Sequence, residues 1–62
     1  MIKNVLKSEK GMVMVFDENG EQILEYQGEY EGVREKVLKD APPDAVFAHI
    51  VTAVKPVLRE EW

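Results

Sequence analysis

Few side chains in this sequence could do covalent or acid–base chemistry. His49 is its one histidine, there is no cysteine, and the hydroxyls besides Tyr26 and Tyr30 are Ser8 and Thr52. Nucleophilic catalysis needs an activated group beside a base that a third group orients, and no motif links Ser8 or Thr52 to His49. His49 lies in an apolar run between Ala48 and Ile50, where a strand histidine held by a backbone or carboxylate partner is expected. Without cysteine there is no thiol nucleophile and no cysteine-based zinc pattern, so a metal site would have to rest mainly on carboxylates. No catalytic, cofactor-binding or metal-binding residue is assigned, no cofactor or small-molecule ligand is expected, and the chain reads as non-enzymatic.

Three short patterns invite a functional reading and fail on their chemistry. Asp17-Glu18-Asn19-Gly20-Glu21 resembles the start of a calcium loop, but its glycine stands fourth rather than sixth and no glutamate stands twelfth. Lys10-Gly11-Met12-Val13-Met14-Val15-Phe16 aligns loosely with an RNA-recognition submotif, yet methionines occupy the positions where aromatic rings would stack on bases. Gly28 and Gly32 lie four apart in charged surroundings, unlike a membrane-dimer motif, and no phosphate-cradling glycine pattern occurs.

Charge narrows the partners. The net charge is −4, and Asp17, Glu18, Glu21, Glu25, Glu29 and Glu31 follow one another with no base between them. Nucleic-acid affinity comes from lysine and arginine releasing counterions, so this distribution argues against it. Lys3, Lys7 and Lys10 are the only basic cluster near the N-terminus. No apolar run is long enough to span a membrane and no secretory leader is visible, so the expected compartment is the cytoplasm.

The elements that would position any site are those of a small α+β domain. At 62 residues one thin core is expected, with about 60% of the unfolded chain's surface buried. Gly11 to Phe16 reads as a buried strand, Asp17 to Gly20 as a type I turn closed by a left-handed glycine, and Glu21 to Tyr26 as the return strand. Ile2 to Lys7 suggests an earlier strand. Tyr30, Val33, Val37, Leu38 and Ala41 recur at helical spacing, with Gly28 as N-cap, Glu35 and Lys39 as an ion pair and Pro42-Pro43 as the stop. Ala45 to Ala53 is apolar on both faces, as in a central strand. Pro56 consigns residues 54–62 to an edge strand or a tail whose last turn would bring Leu58 and Trp62 together.

The expectation is one domain over 1–62: a small antiparallel sheet of two or three meander strands, one helix packed on one face, and one further strand. In the hairpin register, Met12, Met14, Leu24 and Tyr26 share the face assigned to the helix. Val13, Val15 and Ile23 then line a second apolar face, to be covered by Leu58 and Trp62 or by another chain. These five form the candidate interface. The functional expectation is a protein-interaction module that forms a homodimer or binds another protein. The alternative is a nucleic-acid-associated regulator presenting Lys3, Lys7 and Lys10 on a dimeric β-ribbon.

Overall fold

A computed structural model describes residues 1–62. The elements are β1 (Ile2–Ser8), β2 (Met12–Asp17), β3 (Gly28–Glu29), α1 (Tyr30–Asp40), β4 (Val46–Ile50) and β5 (Val54–Val57), with 3-10 turns at Leu24–Tyr26 and Arg59–Glu61. The sheet order is β3-β2-β1-β4-β5. The α+β class agrees with the expectation, but the sheet is mixed and five-stranded. Because α1 carries the chain back across the sheet, β4 runs parallel to β1, from Asn4 opposite Val46 to Ser8 opposite Ile50. The N-terminal segment is thus the middle strand.

Both hairpin turns are built the same way. Gly20 N–H bonds to Asp17 O at 3.0 Å, Asp17 Oδ1 accepts from the N–H of Asn19 and Glu21 at 2.9 Å, and Gly20 has φ +82°. Nine residues earlier, Gly11 N–H bonds to Ser8 O at 3.0 Å, Ser8 Oγ accepts from Met12 N–H at 3.0 Å, and Gly11 has φ +86°. A short oxygen-bearing side chain at the first position and a glycine at the fourth are what a type I turn with a left-handed exit requires.

The return strand expected over 21–26 is short-lived. Phe16 faces Gln22, and Ile23 N–H still reaches Val15 O at 2.7 Å, after which the Leu24–Tyr26 turn breaks the ladder. An uninterrupted hairpin would set Tyr26 opposite Met12. Met12 instead faces Glu29, three residues on. The turn swings Tyr26 to the helix side, where it is buried and its hydroxyl donates to Asp40 Oδ2 at 2.6 Å.

This swing exposes an error in the expected faces. The helix covers Val13 and Val15, both fully buried with Val5 and Val37, while Met12 is 43% exposed on the other side. β-Branched side chains pack closely beneath a helix, and both faces of β2 are apolar, so alternation alone did not select between them.

Helix α1 starts one residue later than expected. Glu29 is its N-cap without a side-chain cap bond, Gly28 belongs to β3, and Tyr30 N–H is taken by Gly11 O at 2.7 Å. Its end is as expected, with Ala41 N–H on Val37 O ahead of Pro42-Pro43. The expected Glu35–Lys39 ion pair does not form; Lys36 Nζ lies 3.3 Å from Glu25 Oε2 instead.

The C-terminal segment supplies the rest of the cover. β5 is an edge strand, as Pro56 requires, and the chain then folds over the helix-side face of β4. Trp62 is buried edge-on to Phe47 and Tyr30, with ring centroids 5.2 and 5.1 Å away. Leu58 and Trp62 do not come together, for Leu58 points out and is 60% exposed. Arg59 ties this segment to the helix end, donating to the carbonyls of Leu38 at 3.3 Å and Ala41 at 3.1 Å, and also to Pro42. The Leu38 carbonyl is among those an α-helix leaves unpaired at its C-terminus, and Ala41 is its C-cap.

Candidate functional site: the open sheet face

Of the five residues assigned to the candidate interface, Val13, Val15 and Trp62 belong to the core of the chain itself and leave no surface for a partner. Ile23 is half-buried against that core, and only Leu58 is prominent on the surface. The surplus apolar surface lies on the opposite side of the sheet.

Residues directly opposed on neighbouring strands point to the same face, which divides the sheet into rows. Phe16, Asn4 and Val46 form one row of the open face. Met14, Leu6, Ala48 and Pro56 form the next. Beyond them Ile50 lies between Ser8 and Val54, with Met12 at the β2 end. Nine apolar side chains are therefore set side by side, with Asn4, Ser8 and, opposite Phe16, Gln22 as polar neighbours. The first charged group met on this face is Glu29, at the outer edge opposite Met12.

No helix or loop lies over these rows, since α1 and the Trp62 segment both occupy the other face. Ala48 is shielded by its larger neighbours, Leu6, Met14, Phe16 and Ile50 are half-buried, and Met12, Val46 and Val54 are 43%, 45% and 59% exposed. Antiparallel sheets that show one face to water normally alternate apolar and polar residues, and this one does not. Contiguous exposed apolar surface of this kind marks contact sites. The two methionines make it deformable, because an unbranched thioether side chain repacks against differing shapes.

The sheet edges, in contrast, are poor templates for a partner strand. β3 is two residues long, and the free edge of β5 carries Pro56, which lacks an N–H, beside Lys55. Both are recognised devices against edge-to-edge pairing.

The side chains singled out for chemistry are scattered. His49 is on the helix side, flanked across the strands by Lys7 and Lys55 rather than by carboxylates, and its Nε2 is buried without a protein partner. Ser8 Oγ is engaged in the turn, and Thr52 lies in the exposed bend between β4 and β5. No three His, Asp or Glu side chains gather in an arrangement that could hold a metal. The three N-terminal lysines form no common basic face: Lys7 and Lys10 line one groove, but share it with Glu9, Glu29 and Glu31. Lys3 pairs with Asp44 at 3.7 Å, Lys7 Nζ sits 3.8 Å from the Tyr30 ring centroid on the helix side, and Lys10 is exposed in the first turn. A groove of about 550 Å³ runs between Pro43, Val46, Pro56 and Leu58, beside the open face and continuous with it through Val46 and Pro56.

The open face is not legible in the sequence, because its middle strand, β1, carries only a short apolar pattern and the hairpin register puts Met12 and Met14 beneath the helix. The signal present was the two-sided apolarity of residues 45–53, which one helix does not satisfy. No helix of the protein is long and apolar enough to cross a membrane. Compared with models of known protein families, with curated proteins and with solved structures, the chain matches none.

Proposed function

We propose that this chain is a cytoplasmic, non-enzymatic protein-interaction module whose contact surface is the open face of its sheet. The observation that carries the reading is the block of apolar side chains around Leu6, Met14 and Ile50, uncharged except for Glu29 at the outer β3 edge and covered by no element of the chain. Burying such a face removes apolar area from water, the dominant favourable contribution to most protein association. Blunted edges direct a partner to the face rather than to the strand backbones.

Methionine oxidation tests this reading. With dilute peroxide, Met12 and Met14 in the dilute purified protein should oxidise readily, with Met1, 78% exposed, as an internal reference. In concentrated extract of the producing cell, Met12 and Met14 should be slowed several-fold relative to Met1. Equal relative rates in buffer and extract would mean that nothing covers the face, and the reading would fall.

A further inference from the structure

We infer that the occupant of the open face is a second copy of the chain, packed sheet on sheet about a two-fold axis; the inference rests on reading that face as a contact surface. The first reason is charge. The molecule carries a net −4, yet the only carboxylate in the three rows of this face is Glu29, at the outer edge on β3. Two copies can therefore meet without opposing like charges, which would otherwise disfavour self-association. A partner recognised through charge would find only Glu29, at the rim, to pair with there. What fits an apolar sheet face is another such face, and this chain supplies one.

The second reason is geometry. Strand-to-strand pairing between copies is blocked by Pro56 at one edge and by the two-residue β3 at the other. Stacking is not blocked. Two sheets pack face to face about 10 Å apart with their strands within about 30° of each other, and an isologous contact of this kind closes on itself. Leu6, Met14 and Ile50 would form its centre, with the flexible methionines filling between rows.

Area limits the contact. The molecule measures 26 × 22 × 21 Å, so five strands about 4.8 Å apart span most of one dimension. Their open face offers a footprint of about 400 Å² per copy, or about 800–1,000 Å² of accessible surface lost by the pair. That is near the lower limit for a specific interface, so the dimer should be reversible, with a dissociation constant in the micromolar range.

Sedimentation equilibrium of the purified full chain, from about 1 µM to about 1 mM, reads this directly. The average mass should rise from 7.1 kDa towards twice that value. Higher salt should leave the rise unchanged or strengthen it, since repulsion between acidic copies is screened. Met14→Lys places a charge at the centre of the contact and Val54→Lys at its exposed rim; the second site is 59% exposed, so the fold does not depend on it. Each should weaken association at least about tenfold while circular dichroism shows a folded chain. A mass that stays at 7.1 kDa throughout, or a folded Val54→Lys variant that pairs as tightly as the parent, overturns the proposal. A monomeric purified protein whose Met12 and Met14 are nevertheless protected in extract rejects the second copy and leaves the contact face standing. A monomer with no protection in extract removes both.

Discussion

The Tyr26 hydroxyl donates to Asp40 Oδ2 at 2.6 Å, joining the turn that ends the second hairpin to the last residue of the helix. The bond spans fourteen residues and holds α1 over the valine side of the sheet. Asp40 as acceptor, then burial, then the negative charges of Asp40 and Glu25 push the Tyr26 hydroxyl up to about 12 from its ordinary 10.0. A phenol in such a place keeps its proton because the phenolate would face two carboxylates with little solvent.

Replacing Tyr26 by phenylalanine should cost about 1.5–3 kcal/mol in chemical denaturation, the usual value of a hydrogen bond to a charged acceptor. Below pH 10 the phenol is protonated in the folded and unfolded chains alike, and its contribution is complete. Between about 10 and about 12 the unfolded chain ionises first, so stability falls as pH rises through that window. Phenolate absorbance should show one tyrosine titrating at about 12, and the Tyr26→Phe variant should lack that late step. An unchanged titration curve would refute this account.

Arg59 should behave as a clamp on the C-terminus of α1. Arg59→Met keeps the aliphatic stem but removes the donors to Leu38, Ala41 and Pro42, and a loss of about 1–3 kcal/mol is expected. Arg59→Lys should recover only part of it, because an ammonium does not reproduce the fork. Amide exchange near residues 37–41 should accelerate in both variants, more in the first.

Trp62 is the sole tryptophan and is buried against Phe47 and Tyr30, while the Tyr30 hydroxyl donates to its carbonyl at 2.6 Å. Trp62→Ala should remove roughly 3–5 kcal/mol, about what a domain of this size has in total, and leave the chain largely unfolded at room temperature. Trp62→Phe should stay folded with a lower melting temperature. In the parent, tryptophan emission should be that of a buried indole and shift to longer wavelength in step with the loss of circular dichroism.

Two glycines should respond in opposite directions to alanine. Gly20 has φ +82°, so Gly20→Ala should destabilise by about 1–2 kcal/mol although no atom lies within 4 Å of the added Cβ. Gly32 is helical, with equally open space, and Gly32→Ala should stabilise by up to about 1 kcal/mol. Thermal unfolding of the two single variants checks the sign of each.

What was legible in the sequence is what the backbone decides over a few residues. The Asp17–Gly20 turn follows from a side-chain acceptor and a left-handed glycine within one tetrapeptide, and the helix end follows from Pro42-Pro43; both hold without reference to the rest of the chain. The helix's apolar residues and the edge character of 54–57 were legible for the same reason, as was a strand within 45–53, although it ends at Ile50 and residues 51–53 form a bend. Parity was not. Both faces of β2 and β4 are apolar, so period-two alternation had no contrast by which to choose the core side, and placing Val13 and Val15 there depended on where α1 crosses. The central place of β1, its parallel pairing with β4 and the turn that redirects Tyr26 are consequences of that same crossover, between residues too far apart in sequence for any local pattern to register. The identity of the open face followed only when α1 and Trp62 together were seen to occupy the other one, because a face is left bare by what packs elsewhere and not by its own residues.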